Sequence, residues 1–370
     1  MATILILGGY GYTGKFISRH LLRESKANII LAGRNPERGK EYAKELDDYR
    51  DRVRFAYVDA TRIETLRAAL RGVDLLLVAA PITQYTESVA RTALTAGIDY
   101  LDIQYSSHKL TILHTLEEEI QKAGLCFITE AGYHPGLPSA MVRYAASQLD
   151  KLERAYTAGY LNMGNSLPYS EAVDELMEAF KNYQAQTFKD GKWTKPSKYD
   201  IRKFDFGGDI GWRTCYSMYF EELHRLPEMY PSLTDTGFYI SGSHWIVDML
   251  ITPIVMIGLK LIPRHGIRPL GKLMWWGMQT FPKAPYRVVL RVEADGQLNG
   301  RPTRIYASIA HPDGYELTAI PVVAFLSQYL DSSARRPGLW MMGHLANPLR
   351  LMEDMSRMGV AFETAITQID

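Results

Sequence analysis

The sequence predicts an α/β protein of two domains: a Rossmann-type doubly wound parallel sheet, then an α+β domain with a mostly antiparallel sheet. At 370 residues, the chain exceeds the roughly 250–300 residues over which a single hydrophobic core usually grows. Residues 3–130 alternate short apolar runs with amphipathic stretches, a pattern typical of βαβ units. Later segments form longer strand-like runs with Asp-Gly and Asn-Gly turns, which favour hairpins.

The strands of the first domain are predicted from continuous apolar runs, as expected for parallel strands that are buried on both faces. There are six, at TILIL, NIILAG, RFAYVD, DLLLVAA, DYLDI and LCFITE. Amphipathic segments between them predict helices, and a further helix is expected to start near Leu137 and lead out of the domain.

Three segments follow from this pattern. Residues 1–150 are predicted to form the Rossmann dinucleotide-binding domain, and residues 151–315 an α+β domain for substrate binding and dimerisation. Residues 316–370 form a C-terminal segment, in which ELTAIPVVAFLSQYL predicts a helix that packs back on the Rossmann domain.

The composition favours a cytoplasmic protein that acts on small molecules. Lysine and arginine number 42 against 41 acidic residues, so the net charge of +1 gives no electrostatic reason to bind nucleic acid. Cys126 and Cys215 lie in unrelated segments and are expected to be reduced. The apolar run in ATILILGG has no basic residues before it and stops at glycines, which predicts a buried strand rather than a signal peptide.

Residues 245–276 depart from the pattern of a soluble protein. WIVDMLITPIVMIGLKLIP is nearly as long as a membrane span, but Asp248, Pro253 and Lys260 interrupt it, so a span is the least favoured interpretation. Basic residues and LMWWGM follow, a combination suited to a membrane interface. A buried helix, a dimer contact, an apolar substrate pocket and peripheral membrane contact all remain open.

A dinucleotide site is predicted at the first strand-to-helix turn, where Gly9, Gly11 and Gly14 form a GxGxxG motif. The first glycine permits the tight turn, the second lets the backbone approach the pyrophosphate, and the third lets the helix pack closely on the strand. Backbone N–H groups and the helix dipole then hold the phosphates. The cofactor-binding loop is predicted to comprise Gly9, Tyr10, Gly11, Tyr12, Thr13 and Gly14.

Further cofactor contacts are predicted after the next three strands. Arg34 in AGRNPER stands near the position at which NAD-binding proteins carry an acid, and an arginine there can pair with a 2′-phosphate, so NADP(H) is favoured over NAD(H). Asp59 is placed to contact the adenine edge or to cap the following helix. Ala80 and Pro81 lie where the nicotinamide ribose would pass.

Several of these motifs together resemble the saccharopine dehydrogenase-like oxidoreductase superfamily. They are LILGGYGYTG, LAGRNPER, the AAP turn, AGIDYLDI, TEAGYHPGLPSAM, SEAVDELMEAF with FKDGKW, and HPDGYELTAIPVVAF, and they span most of the chain. The resemblance implies a hydride-transferring enzyme with a mixed α/β second domain that often provides a dimer surface. It implies no single substrate, since relatives include reductases of imines of amino acids, dehydrogenases of polyamine pathways, and enoyl reductases of lipid or polyketide intermediates.

Proton donors are expected in loops after the fourth, fifth and sixth strands, because reacting centres of doubly wound sheets lie beyond the carboxyl ends of strands. His134 is the first candidate, since imidazole can donate a proton near neutral pH, and Tyr105 and Tyr133 are further candidates for catalysis. A packed histidine satisfied by backbone carbonyls, or one that caps the next helix, is the alternative. The histidines and cysteines have no metal-ligand spacing, and no metal is predicted.

The sequence thus predicts a cytoplasmic, homodimeric, NADPH-dependent oxidoreductase that reduces a C=N or C=C bond of a small molecule. The apolar character of residues 245–276 favours a lipid or polyketide-like substrate over a zwitterionic amino acid. Two other functions remain open: a catalytically silent NADP(H)-binding sensor, and a membrane-associated scaffold.

Overall fold

A computed structural model describes residues 1–163, 169–181, 185–195, 200–242, 244–263 and 265–369. The chain divides into two compact units, the first comprising Met1–Leu137 with Tyr315–Met358 and the second comprising Pro138–Gly314 with Gly359–Asp370. The first boundary lies after Leu137 rather than at the predicted residue 150, whereas the change of unit after Gly314 lies within one residue of the predicted boundary at 315. The helix expected near Leu137 leads into the second unit, and residues after 358 return to that unit as a strand.

The first unit begins with strands and helices in alternation, as predicted. In chain order they are β1 (Thr3–Leu7), α1 (Tyr12–Glu24), β2 (Asn28–Gly33), α2 (Pro36–Glu45), β3 (Val53–Tyr57), α3 (Ile63–Ala69), β4 (Leu75–Val78), α4 (Thr86–Thr95), β5 (Asp99–Asp102), α5 (Ser107–Thr115), α6 (Glu117–Lys122) and β6 (Cys126–Thr129). Short 3-10 turns occur at Asp47–Arg52 and Thr83–Tyr85.

The second unit contains longer strands and a pair of consecutive helices. Its elements are α7 (Leu137–Ala146, which starts at the boundary), β7 (Lys151–Asn162), α8 (Glu171–Lys181), β8 (Thr187–Lys189), β9 (Lys192–Thr194), β10 (Ile201–Asp205), β11 (Trp212–Met218), α9 (Leu226–Met229), β12 (Asp235–Gly242), α10 (Thr252–Leu261), α11 (Ile267–Thr280), β13 (Arg287–Leu298) and β14 (Arg301–His311). A 3-10 turn spans Glu221–Leu223, and a π-helical turn, Val247–Ile251, precedes α10.

The C-terminal segment contributes to both units. It contains α12 (Gly314–Leu330), β15 (Gly338–Met341), α13 (Met342–Leu345), α14 (Pro348–Arg357) and β16 (Ala361–Gln368). β15 pairs in parallel with β6, and β16 pairs antiparallel with β14. Tyr329 and Arg335 fasten this segment to the first unit, since both donate to the carboxylate of Asp99, at 2.6 Å and 2.7 Å.

The sheet of the first unit has seven parallel strands in the order β15-β6-β5-β4-β1-β2-β3. The chain runs outward in both directions from β1, so the strand order reverses between β1 and β4. Loops on either side of such a reversal diverge and leave a crevice beyond the carboxyl ends of the strands. The predicted Rossmann architecture is confirmed.

The sheet of the second unit is mixed and mostly antiparallel, as predicted. Its main order is β10-β11-β12-β7-β13-β14-β16, with β12 and β7 paired in parallel; β8 pairs with β12, and β9 pairs with β8. Asp190-Gly191 and Asn299-Gly300 form two tight hairpin turns, and all four residues have positive φ. Asp295-Gly296 forms no turn, because it lies within β13 where the register with β7 shifts.

Candidate functional site

The glycine-rich loop between β1 and α1 has the geometry of a phosphate cradle. Gly11 is the N-cap of α1, and among the described residues no side chain caps this helix and no acid stands in its first turn. A methyl group on Gly14 would lie 2.0 Å from the Gly8 carbonyl oxygen, so only glycine allows α1 to pack this closely on the loop. The first N–H groups of α1 lack intrahelical acceptors and can hold an anionic phosphate.

Gly8 is a site residue that the GxGxxG motif does not mark out. Its φ is +90°, and a Cβ there would lie 2.8 Å from the backbone nitrogen of Ala80. Gly8 therefore brings the turn after β1 against the turn after β4, which carries Ala80 and Pro81. The doublet Gly8-Gly9 was the available signal for this close approach.

Tyr10 supports the neighbouring turn from within the loop. Its side chain packs across Gly33, where a Cβ would lie 2.4 Å from the Tyr10 hydroxyl oxygen. That hydroxyl accepts a hydrogen bond of 2.8 Å from the backbone N–H of Asn35. Tyr10 thus holds the turn that presents Arg34. Tyr12, by contrast, is 46% exposed, with its ring 5.7 Å from that of Tyr315.

Arg34 and Asp59 lie after the neighbouring strands β2 and β3, and the Arg34 side chain is exposed. The Asp59 carboxylate accepts from the backbone N–H and the hydroxyl of Thr61, at 3.0 Å and 2.8 Å. These two bonds, with a smaller contribution from the positive charge of Arg34, lower the pKa of Asp59. Arg62 is the N-cap of α3, so Asp59 shapes the turn before that helix and does not cap it.

Replacing Arg34 with alanine is expected to weaken NADPH binding by about 10- to 100-fold, the usual loss for one charge-assisted hydrogen bond. NADH lacks the 2′-phosphate, so its affinity should change by less than about threefold. Titration calorimetry with both cofactors measures this selectivity. Lys40→Ala, an exposed cation on α2, is the matched control. Equal losses for NADPH and NADH would contradict a role of Arg34 at the 2′-phosphate.

A buried ion pair organises the loop after β5. Lys109 and Asp102 are both fully buried, and the Lys109 Nζ donates to Asp102 Oδ1 at 2.6 Å and to the Gln104 carbonyl oxygen at 2.5 Å. The Thr129 hydroxyl on β6 donates to Asp102 Oδ2 at 2.9 Å. The Gln104 side-chain amide then donates to the Ala80 carbonyl oxygen at 2.7 Å, which ties this loop to the turn after β4.

The loop after β6 is tightly wound, and its first residue is a buried acid. Glu130 is 1% exposed and has a φ of 54°, a left-handed conformation that non-glycine residues seldom adopt. Gly136 has a φ of +122°, and a Cβ there would lie 2.7 Å from the Glu130 carbonyl oxygen. Strained backbone of this kind concentrates at functional sites. In the sequence, Glu130 stands directly after an apolar strand, and this position could have indicated it as a residue of the site.

The three predicted catalytic residues lie beyond the carboxyl ends of the paired strands β5 and β6. Tyr105 follows β5 and is partly exposed. Tyr133 and His134 follow β6, and their ring centroids are 4.2 Å apart. Burial raises the pKa of Tyr133 well above its usual value and lowers the pKa of His134 to about 4. Both side chains are therefore uncharged at pH 7, which suits hydrogen-bond donation more than transfer of an imidazolium proton.

The pH dependence of stability should reveal the state of His134. Its pKa is about 4 when folded and 6.5 for a free histidine, so the unfolded chain binds the extra proton between these values. The free energy of unfolding should therefore fall, as the pH drops through this window, by up to about 1.4 kcal/mol per pH unit from this residue. His134→Gln removes that contribution, whereas His108→Gln, at an exposed histidine, does not. Urea unfolding at several pH values measures the difference, and parallel curves for wild type and His134→Gln would disprove it.

The described ranges contain no group of three or more His, Cys, Asp or Glu side chains that could hold a metal ion. They also contain no helix that is long and apolar enough to cross a membrane. Cys126 and Cys215 are both buried free thiols.

Comparison with known proteins agrees with this geometry. Residues 4–128 match the family model of the saccharopine dehydrogenase NADP binding domain. The matched range includes the glycine loop, Arg34, Asp59 and Tyr105, and ends just before Thr129. NADP(H) is accordingly the cofactor of this domain, and the cradle formed by Gly11 and Gly14 fits its pyrophosphate.

Sequence similarities that extend beyond this domain are more distant. The chain is 25% identical over 306 residues to carboxyaminopropylagmatine dehydrogenase of Synechocystis sp., covering 78% of this chain and 72% of that protein. It is 30% identical over 188 residues to the trans-acting enoyl reductase of Mycobacterium ulcerans, but these cover 46% of this chain and 44% of the reductase.

One solved structure shares the fold over nearly the whole length. Saccharopine dehydrogenase (L-Glu forming) from Saccharomyces cerevisiae, in its apo form, aligns with a TM-score of 0.71 at 14% identity, covering 99% of this chain and 100% of that one. This similarity extends to the mixed sheet of the second unit, and at this identity it concerns the fold alone. The relatives together place the chain among NADP-dependent oxidoreductases.

Proposed function

We propose that this protein is a reductase that uses NADPH to reduce a C=C or C=N bond of an apolar metabolite. The observation that carries the proposal is the division of the parallel sheet into two halves. The phosphate cradle and Arg34 follow β1 and β2, whereas Tyr105, Tyr133 and His134 follow β5 and β6 on the other side of the strand reversal. A dinucleotide bound across such a reversal extends from one half to the other.

The cofactor half supports NADPH rather than NADH. An uncapped helix start favours the pyrophosphate, and an exposed arginine after β2 favours the 2′-phosphate. When bound, NADPH supplies the hydride. The chain itself must position the cofactor and the substrate and provide hydrogen bonds where charge develops.

The half of the sheet that carries Tyr133 and His134 suits a substrate that accepts hydrogen bonds from uncharged side chains. Tyr133 keeps its phenol proton because burial raises its pKa, and His134 is a neutral imidazole at pH 7. Neutral N–H and O–H donors suit the carbonyl oxygen of an α,β-unsaturated acyl group, which gains negative charge as hydride adds to the β-carbon. The final proton then reaches the α-carbon from water or from a side chain. For an imine, the same donors would bond to nitrogen.

The relatives support both bond types, since one is named an enoyl reductase and another a dehydrogenase of an amine-containing compound. We favour an apolar substrate because the second unit carries a large exposed apolar surface on α10 and α11. A small zwitterionic amino acid would not require such a surface.

The proposal is tested by NADPH oxidation, followed by absorbance, with two substrate series. One series contains enoyl thioesters of increasing chain length, and the other contains imines formed from amino acids and aldehydes. We expect turnover with the enoyl series and a kcat/KM that rises with chain length. Turnover with the imines alone would shift the assignment to C=N reduction of polar substrates. Tight NADPH binding with no turnover on either series would contradict the proposal and favour a sensor.

His134→Gln and Tyr133→Phe separate donation from packing within this experiment. Glutamine keeps an N–H donor of similar reach, whereas phenylalanine keeps the ring and removes only the hydroxyl. If Tyr133 donates to the substrate, kcat should fall by about 100-fold or more in Tyr133→Phe, with little change in NADPH affinity. A drop of less than about twofold in Tyr133→Phe would remove the Tyr133 hydroxyl from the chemistry, whereas near wild-type turnover in His134→Gln is expected if His134 acts only as an N–H donor.

A further inference from the structure

The second unit contains a helical segment whose two opposite faces are both apolar. The π-helical turn Val247–Ile251 continues into α10, and α11 follows; we call residues 245–280 the apolar hairpin, of which residue 264 lies outside the described residues. Its inner face packs with α8 in a core cluster. The buried members of that cluster are Met177, Val247, Ile251, Val255 and Leu259.

The outer face of the hairpin is exposed and equally apolar. Eight of the sixteen large apolar side chains that are exposed among the described residues lie here, between 49% and 75% accessible. They are Trp245, Met249, Leu250, Ile254, Ile257, Leu261, Ile262 and Trp276. Most recur three or four residues apart, so they form one stripe along the helix. A surface helix normally turns a polar face outward, and a contiguous apolar surface of this kind marks a contact site.

The charged residues in and directly after the hairpin are mostly basic. Residues 245–286 contain five lysines and arginines and a single acid, Asp248. Lys260, Arg268 and Lys272 are exposed, as is His265. Asp248 is turned towards the backbone of Gly242, where a Cβ would lie 2.0 Å from its carboxylate oxygen. The hairpin therefore presents an apolar stripe bordered by cations.

We propose that the apolar hairpin docks this protein on the surface of a lipid bilayer that contains anionic lipids. Leucine, isoleucine and tryptophan side chains of an interfacial helix enter the region between headgroups and acyl chains, and lysine and arginine pair with anionic headgroups. Trp245 and Trp276 are exposed, and tryptophan side chains favour this interfacial region of a bilayer. α10 and α11 have 10 and 14 residues, lengths that suit lying on a bilayer rather than crossing it.

A second copy of the chain is the competing occupant, and the charges argue against it. A two-fold symmetric contact places the same patch against itself. That arrangement would bring Lys260, Arg268 and Lys272 of each copy close to their own counterparts, and Asp248 is the one acid in the sequence of the hairpin. An anionic lipid surface has the complementary charge over its whole area.

Vesicle flotation of the full chain tests the proposal. Phosphatidylcholine vesicles are compared with vesicles of phosphatidylcholine and phosphatidylglycerol in equal amounts. We expect the protein to float with the anionic vesicles and to partition at least about fivefold less to the neutral ones, the effect of a single basic residue at an anionic surface. Binding should weaken at 1 M salt, where the Debye length is about 3 Å.

Matched variants identify the surface. Ile254→Ser/Ile257→Ser removes two exposed isoleucines of the stripe, and Ile201→Ser/Ile366→Ser removes two isoleucines of similar exposure on β10 and β16. The first variant should lose about tenfold or more of its partitioning, while the second should stay within about twofold. Lys260→Glu/Lys272→Glu should lose binding to anionic vesicles only, with Lys122→Glu as its control. Unchanged NADPH affinity and circular dichroism establish that each variant is folded.

Three results would overturn the inference. The first is that the wild type does not float with anionic vesicles. The second is that Ile254→Ser/Ile257→Ser and Ile201→Ser/Ile366→Ser float to the same extent. Alternatively, analytical ultracentrifugation shows a wild-type dimer that Ile254→Ser/Ile257→Ser dissociates, which would assign the stripe to a second copy. None of these readouts requires turnover, so failure of the proposed reductase function would leave this test unaffected.

Discussion

Replacing Gly14 with alanine is expected to lower NADPH affinity by roughly 100-fold or more and to destabilise the first unit. The added methyl group would lie 2.0 Å from the Gly8 carbonyl oxygen and 2.9 Å from the Gly9 Cα, and both neighbours are backbone atoms that no side-chain rotation can move aside. Helix α1 would have to shift away from β1. Its first N–H groups, which we expect to bind the phosphates, would shift with it.

Gly11→Ala separates the loss of the cradle from the loss of the fold. Gly11 has a φ of −76° and its nearest neighbour to a new Cβ is the Gly8 carbonyl oxygen at 3.1 Å, so alanine can adopt the native backbone there. We expect a midpoint of thermal unfolding within a few degrees of wild type, yet NADPH binding weakened by about tenfold, since the methyl group occupies the approach to the pyrophosphate.

Fluorescence titration with NADPH and thermal unfolding, measured for both glycine variants, decide the matter. Wild-type affinity in Gly14→Ala would show that the loop is not the phosphate site. If only Gly11→Ala kept the wild-type affinity for NADPH, the pyrophosphate would contact the other residues of the loop and not Gly11.

Replacing Lys109 with alanine is the second change of large expected effect. It leaves the fully buried Asp102 carboxylate without its cation, and breaking a buried ion pair in this way costs about 3–5 kcal/mol of unfolding free energy. The loop after β5 should loosen as well, because Lys109 also holds the Gln104 carbonyl oxygen. Gln104 in turn bonds to Ala80, so NADPH affinity is expected to fall with stability.

Urea unfolding with a matched exposed pair measures the cost of burial. Lys122 donates to Glu118 at 2.5 Å, but both side chains are exposed, so Lys122→Ala should change the unfolding free energy by less than about 1 kcal/mol. The double variant Lys109→Met/Asp102→Asn removes the uncompensated charge and should regain part of the lost stability. Equal effects of Lys109→Ala and Lys122→Ala would contradict this account of the pair.

The parallel sheet was predictable because its inner strands are buried on both faces and therefore read as continuous apolar runs; the edge strand β3 is only partly buried. All six predicted strands are present, and the loop with the predicted glycine spacing lies between the first strand and the first helix. The tight hairpins at Asp190-Gly191 and Asn299-Gly300 were predictable for a local reason as well, since those residues accept positive φ at little cost.

Strands at the margins of the sheets were not predictable in the same way. β10 and β11 carry charged and exposed residues, and β16 is exposed along almost its whole length. None of these three strands therefore shows a clear apolar pattern. β15 has only four residues, and its place beside β6 depends on a parallel pairing between segments more than 200 residues apart. Such pairing depends on tertiary contacts and has no local signature.

The sequence by itself determined the doubly wound fold of residues 1–130, the position of the glycine-rich loop and the assignment of NADP(H) as the cofactor, because each depends on residues close together in the chain. Only the tertiary structure decided the rest. It paired Lys109 with Asp102 and Thr129, placed Gly8 against Ala80, gave Glu130 its left-handed backbone, and left one face of the apolar hairpin exposed. Burial and long-range contact set these features, and neither can be read from the order of residues.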